Sequence, residues 1–120
     1  MSFGSRLMRI KTIPPFAREA KPLLKKYASL RSELQQLILQ LEANPLTGSP
    51  IGRNCYKVRL KIASKGKGSS GGARIITCVV AVTETVFLLS IYDKSEQENI
   101  SDKRLAELLQ MLPPRQQPES

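Results

Sequence analysis

Residues 55–62 alternate without a break, with Tyr56, Val58, Leu60 and Ile62 on one side and Lys57, Arg59 and Lys61 on the other. A period of two with one apolar and one cationic side specifies a β-strand that buries a single face. Such a strand is not stable alone, so the rest of the chain must supply both its neighbours and its cover. A glycine- and serine-rich loop spans residues 64–72. After it, residues 73–82 and 85–92 are rich in Ile, Val, Leu and Phe and read as two buried strands joined around Thr83 and Glu84. Three strands in succession with short joins make an antiparallel meander the economical topology.

The cover comes from helical periodicities. Residues 7–13 alternate as a short first strand, ended by Pro14 and Pro15, and Pro15 is suited to open a helix. Phe16, Ala20, Leu23, Leu24 and Tyr27 follow at helical spacing, with Pro22 predicting a kink or an early end. Leu30, Leu34, Leu37, Ile38 and Leu41 form the apolar face of a second helix, stopped by Asn44 and Pro45, so the two make a hairpin turning near Ala28 and Ser29. Residues 46–54, with Gly48, Pro50 and Gly52, read as a connecting loop. Ser101 caps a last helix through Leu105, Leu108, Leu109 and Leu112. The order predicts an α+β fold: a small, mainly antiparallel sheet of about four strands, packed on one face by the N-terminal helical hairpin, with a C-terminal helix. The other face is expected to carry polar side chains. One domain over residues 1–112 and a disordered tail over 113–120 are expected, with no internal repeat.

Composition narrows the chemistry. Nineteen Lys and Arg against ten Asp and Glu give a net charge of +9 in 120 residues, which favours polyanionic partners. The sequence has no histidine, which removes the commonest general base, the commonest metal ligand and every Ser-His or Cys-His pair. Cys55 and Cys78 form neither a C-x-x-C pair nor a disulfide framework, and read as core thiols of a reducing compartment. No signal-peptide pattern opens the chain and no apolar run approaches the ~20 residues that span a bilayer, so a cytoplasmic protein without membrane association is expected. No cofactor or metal is expected.

The charge is unevenly placed. No carboxylate stands between Glu42 and Glu84, while Arg53, Lys57, Arg59, Lys61, Lys65, Lys67 and Arg74 all do. If the polar side of each strand faces solvent, Lys57, Arg59, Arg74, Tyr92 and Lys94 converge; strand parity places Arg74 with Ile76 and Cys78, and Tyr92 and Lys94 with Ser90. Residues 66–71 match G-x-G-x-x-G, but a strand follows where a dinucleotide site needs a helix, and Gly68 stands where a P-loop needs Ser or Thr. A basic loop able to approach phosphates is what remains.

Phe16-x-x-Glu19-x-Lys21, Lys25-Lys26-Tyr27-x-Ser29-Leu30 and Asn44-Pro45-x-x-Gly48 resemble the helical hairpin of RelE/HigB-type toxins of the RelE/ParE superfamily. Tyr56-Lys57-Val58-Arg59-Leu60, then Lys65-Gly66-Lys67 leading through Gly71-Gly72-Ala73-Arg74, and Ile91-Tyr92-Asp93-Lys94-Ser95 continue the likeness in order. The resemblance implies the RelE-like fold and a toxin of a type II toxin–antitoxin system that cleaves messenger RNA on the ribosome without a metal. It implies a cognate antitoxin, with operator DNA bound only through that partner. Carried over by position, Lys57, Arg59, Arg74 and Lys94 resemble the family's cations, with Tyr92 as a candidate for the tyrosine its relatives carry near the last helix, where this chain has Asn99, Ile100 and Ser101. Arg53, Lys61, Lys65 and Lys67 are expected to bind RNA. A ParE-like gyrase poison and an inactive RNA- or ribosome-binding module stay open as alternatives.

Overall fold

The computed structural model describes residues 7–65 and 71–113; Lys67 with the rest of the glycine-rich stretch 66–70, and all of the expected 113–120 tail but Pro113, lie outside them. The chain begins with β1 (Arg9–Thr12), α1 (Pro14–Lys26) and α2 (Leu30–Ala43). It continues with β2 (Ser49–Gly52), β3 (Cys55–Leu60), β4 (Ala73–Val80), β5 (Thr85–Asp93) and α3 (Asp102–Gln110). The five strands lie in the order β1-β5-β4-β3-β2. The meander from β2 to β5 is antiparallel, and β1 adds at the edge parallel to β5.

Two expectations are corrected. The stretch expected to be a loop contains β2, so the sheet has five strands rather than about four. Arg53 and Asn54 both adopt positive φ, 56° and 61°, the backbone that a two-residue hairpin joining twisted strands requires. The chain does this without the usual Asn-Gly, and the Pro and Gly of β2 are tolerated because it is an edge strand with a bulge. In α1, Pro22 ends nothing: the helix runs on to Lys26 with Pro22 on its exposed side.

Both faces of the sheet are covered. Val58, Leu60, Ile62, Ile75, Leu88 and Ile91 pack beneath the α1–α2 hairpin against Phe16, Leu30, Leu37 and Leu41. On the other face, expected to be polar, Leu105, Leu108, Leu109 and Leu112 of α3 and the turn after it pack on Cys55, Ile76, Cys78, Phe87 and Leu89. Ser101 caps α3 by accepting a hydrogen bond from the Arg104 amide at 3.0 Å. β5 is buried along its whole length, which is why its sequence carries no polar side until its C-terminal end. On the α3 face the cations gather along β3 and where β4 begins and β5 ends, with Arg9 and Lys11 on the far edge strand β1.

Candidate active site

That end is built by register. Arg59 on β3 pairs with Arg74 on β4, and Arg74 pairs with Tyr92 on β5. The three side chains therefore begin in one row across three adjacent strands, whose spacing is about 4.8 Å per strand. Lys57 lies two residues along β3 on the same side as Arg59, beside the Ile76 and Ser90 pair. A bulge aligns the row: Ile76 pairs with Ser90 and Thr77 with Leu88, so Leu89 has no counterpart. Beyond this extra residue the parity of β5 reverses. Tyr92 joins the α3 face and Ile91 the hairpin face, while Ser90 reaches Glu19 of α1 with a 2.7 Å hydrogen bond. The grouping of Tyr92 with Ser90 by alternation holds beyond the bulge, since Ser90 pairs with Ile76 and Tyr92 with Arg74, both on the α3 side.

Arg74 is only 5% exposed, yet its Nη1 donates to two backbone carbonyls, Gly71 at 2.7 Å and Ala73 at 3.1 Å. Lys57 donates to the neutral amide oxygen of Asn99 at 3.0 Å. Among the described residues neither Lys57, Arg59 nor Arg74 is in a direct ion pair, so three positive charges stand in one group with Glu98 as the nearby acid. Lys94 binds Glu98 at 2.6 Å. The bond and charge of Lys94 hold the Glu98 carboxyl below its usual range, with Lys57 and Arg74 adding to the effect. Glu98 and Asn99, which sequence reading did not single out, thus lie across the cations. Tyr92 is buried; burial pushes its phenol above the ordinary value while Arg74 opposes the shift. Its Oη has no hydrogen-bond partner among the described residues.

The other basic residues divide. Lys61 is exposed just past β3. Arg53 sits in the β2–β3 turn at the opposite end of β3 from Arg59. Lys65 is committed to the interior, paired with Asp93 at 2.8 Å, its side chain only 13% accessible. Cys55 and Cys78 are buried free thiols in register on β3 and β4, and both reach the Arg53 carbonyl, at 3.4 and 4.0 Å. No group of three or more metal-ligating side chains occurs among the described residues.

A crowd of unpaired cations with fixed guanidinium donors is suited to one class of ligand, a phosphate whose charge grows during reaction. The family model described as the RelE toxin of the RelE / RelB toxin-antitoxin system matches residues 8–114. Among solved structures the chain is similar to an arginine-to-alanine double mutant of the E. coli toxin RelE in the free state, with TM-score 0.57 and 16% identity, covering 89% of this chain and 99% of that one. It is also similar to the isolated E. coli RelE toxin in its P21 form, with TM-score 0.51 and 18% identity, covering 88% of this chain and 99% of the other. At these identities the structural likeness speaks for the fold.

Proposed function

The chain belongs to the RelE family of toxins from toxin–antitoxin systems, and on that premise we propose that it is a metal-independent endoribonuclease that cuts messenger RNA on the ribosome. The observation that carries the reading is the row of Arg59, Arg74 and Tyr92 with Lys57 beside it, a positive site that no carboxylate among the described residues closes off by ion pairing.

RNA supplies its own nucleophile. The 2′-oxygen attacks the adjacent phosphorus, the O2′–P bond forms as the P–O5′ bond breaks, and the products are a 2′,3′-cyclic phosphate and a free 5′-hydroxyl. The protein needs to stabilise the phosphorane, whose negative charge exceeds that of the ground state, and to handle two protons. Arg59 and Arg74 supply planar donors to the equatorial oxygens, and Lys57 and Lys94 add point charges. Tyr92, like any phenol of ordinary pKa about 10, is protonated at neutral pH, and burial pushes it further the same way. Its role is therefore that of a donor, its buried Oη giving a proton to the departing O5′ when substrate displaces the groups that cover it, while the 2′-hydroxyl loses its proton to water. Asn99 holds Lys57, and substrate phosphate competes with Glu98 for Lys94. An antitoxin that covers this end of the sheet silences the site, and acidic segments in it would speed association with a chain of charge +9.

The test is a translation reaction programmed with one defined messenger, with cleavage mapped by primer extension in the presence and absence of ribosomes. Cuts at codon positions only during translation support the reading. Intact messenger refutes it, and inhibition of gyrase supercoiling in a parallel assay would then assign the ParE-like activity.

A further inference from the structure

The end of β5 carries a second charge cluster, on the hairpin face of the sheet. The Asp93 side chain is wholly inaccessible and accepts from Tyr27 Oη at 2.7 Å, Lys65 Nζ at 2.8 Å, Ser95 N at 2.9 Å and Ser95 Oγ at 2.7 Å. Its carbonyl accepts from the amides of Glu96 and Gln97 at 3.0 and 3.1 Å. Lys65 Nζ lies 5.6 Å from the Tyr27 ring centre and 3.5 Å from the Gly72 carbonyl. That carbonyl also receives the Lys94 amide at 3.1 Å, and the neighbouring Gly71 carbonyl receives Arg74 Nη1 at 2.7 Å. Gly72 lets the chain pass close to β3: its φ is +50°, and a Cβ there would overlap the Leu60 carbonyl oxygen. The backbone that holds Arg74 and Lys94 on one face is therefore tied to a buried ion pair on the other.

A buried ion pair is poor evidence of added stability, because an apolar replacement often does as well; its better attested use is to specify one geometry. We propose that Asp93, acting through Lys65 and the Gly71–Gly72 backbone, is a positioning residue that fixes Arg74 and Lys94 for phosphate binding without touching RNA. Its effect on rate rests on the endoribonuclease reading; its effect on local order does not.

Two readouts test it on the full chain. In Asp93→Asn the single-turnover rate on saturating ribosome–messenger complexes falls between about tenfold and a hundredfold, as for misplaced catalytic groups, while the half-saturating concentration stays within about twofold. The amides of Lys94, Glu96 and Gln97 exchange faster with deuterium, and those in the middle of β4 keep their protection. Lys65→Met, which leaves the carboxylate three of its four donors, shows the same pattern and serves if Asp93→Asn does not fold. Wild-type rate in Lys65→Met, or unchanged exchange at Lys94, overturns the proposal. A wild-type protein that cuts no messenger overturns the endoribonuclease reading instead, and the exchange data then decide the positioning role alone.

Discussion

Replacing Arg74 with methionine separates a role in holding the fold from a role in chemistry. Methionine keeps most of the apolar stem and removes the guanidinium, with its bonds to Gly71 and Ala73 at 2.7 and 3.1 Å. Losing bonds to a charged donor costs about 1.5–3 kcal/mol each. Against this, the wild-type protein holds Arg74 as a whole 5% exposed, with no carboxylate among the described residues in an ion pair with it, a desolvation that costs several kcal/mol and vanishes in the variant. The two terms oppose each other, so the change in unfolding free energy is expected to stay within about 2 kcal/mol. A domain with about 5–15 kcal/mol of stability then remains almost wholly folded at 25 °C.

The transition state offers no such offset. Removing one preorganised donor to a developing oxyanion costs about 2.7–4 kcal/mol, or a factor of about 100–1,000 in rate. The assay is single-turnover cleavage on a stalled ribosome complex, beside a urea melt of the same preparation. Arg74→Lys should fall between wild type and Arg74→Met, since it restores charge without the planar pair of donors. A folded Arg74→Met that cleaves within about threefold of wild type, a difference of about 0.65 kcal/mol in barrier, would refute the argument that this guanidinium meets the reacting phosphate.

Other outcomes follow from the packing and the titration. Leu108 is fully buried where α3 meets the sheet, so Leu108→Ala should lower unfolding free energy by about 2–5 kcal/mol in urea melts. Burial alone would raise the Asp93 carboxyl, but hydrogen bonds from Lys65, Ser95 and Tyr27 hold it far below its ordinary value. The unfolded state therefore takes up its proton first, and the stability Asp93 contributes is present above the unfolded pKa of about 3.9 and lost as pH falls below it. Urea melts between pH 3 and 7, a window of about one unit below and three above that pKa, should show this loss, with a shallower slope in Asp93→Asn. Cys55 is raised by its bond from Cys78 and by burial, and both thiols are 1% exposed. An alkylating reagent should leave them unmodified in the native protein and label both in denaturant.

Where one face of an element is apolar and the other is not, the sequence was legible. The alternation along β3 and the 3.6-residue stripe of α2 each gave the element and the side it buries. β4 and β5 were legible as strands but not as faces, because an all-apolar run has no parity to read. The bulge at Leu89 falls inside such a run and left no mark, so the side taken by Tyr92 had to come from pairing. β2 was hidden by Pro50 and Gly52, which belong equally to loops and to edge strands. Of the site, the cations on β3 and Arg74 were visible in composition, since a stretch free of carboxylates is a strong asymmetry. Asn99, Glu98 and the Asp93–Lys65 pair were not, since each depends on a contact between segments far apart in the chain. The nearest available signal was Asp93 itself, an acid closing an apolar strand and followed at once by a lysine.

The bulge explains how one strand end serves two sides. Without the extra residue, the alternation of Phe87 and Leu89 toward α3 would continue through Ile91 and Asp93. The acid would then stand among Arg59, Arg74 and Lys57 and neutralise them, and Tyr92 would point into the hairpin core. With it, Asp93 goes to Tyr27 and Lys65, and Tyr92 goes to Arg74. Glu19 of α1 stands beside the bulge, past the end of the β1 pairing: its Oε1 accepts from Ser90 Oγ at 2.7 Å and from the Ile91 amide at 3.4 Å. The offset keeps the Asp93 carboxylate away from Arg59, Arg74 and Lys57, leaving Glu98 on Lys94 as the nearby acid, so the charge of this site depends on the register of β5 as much as on the count of its lysines and arginines.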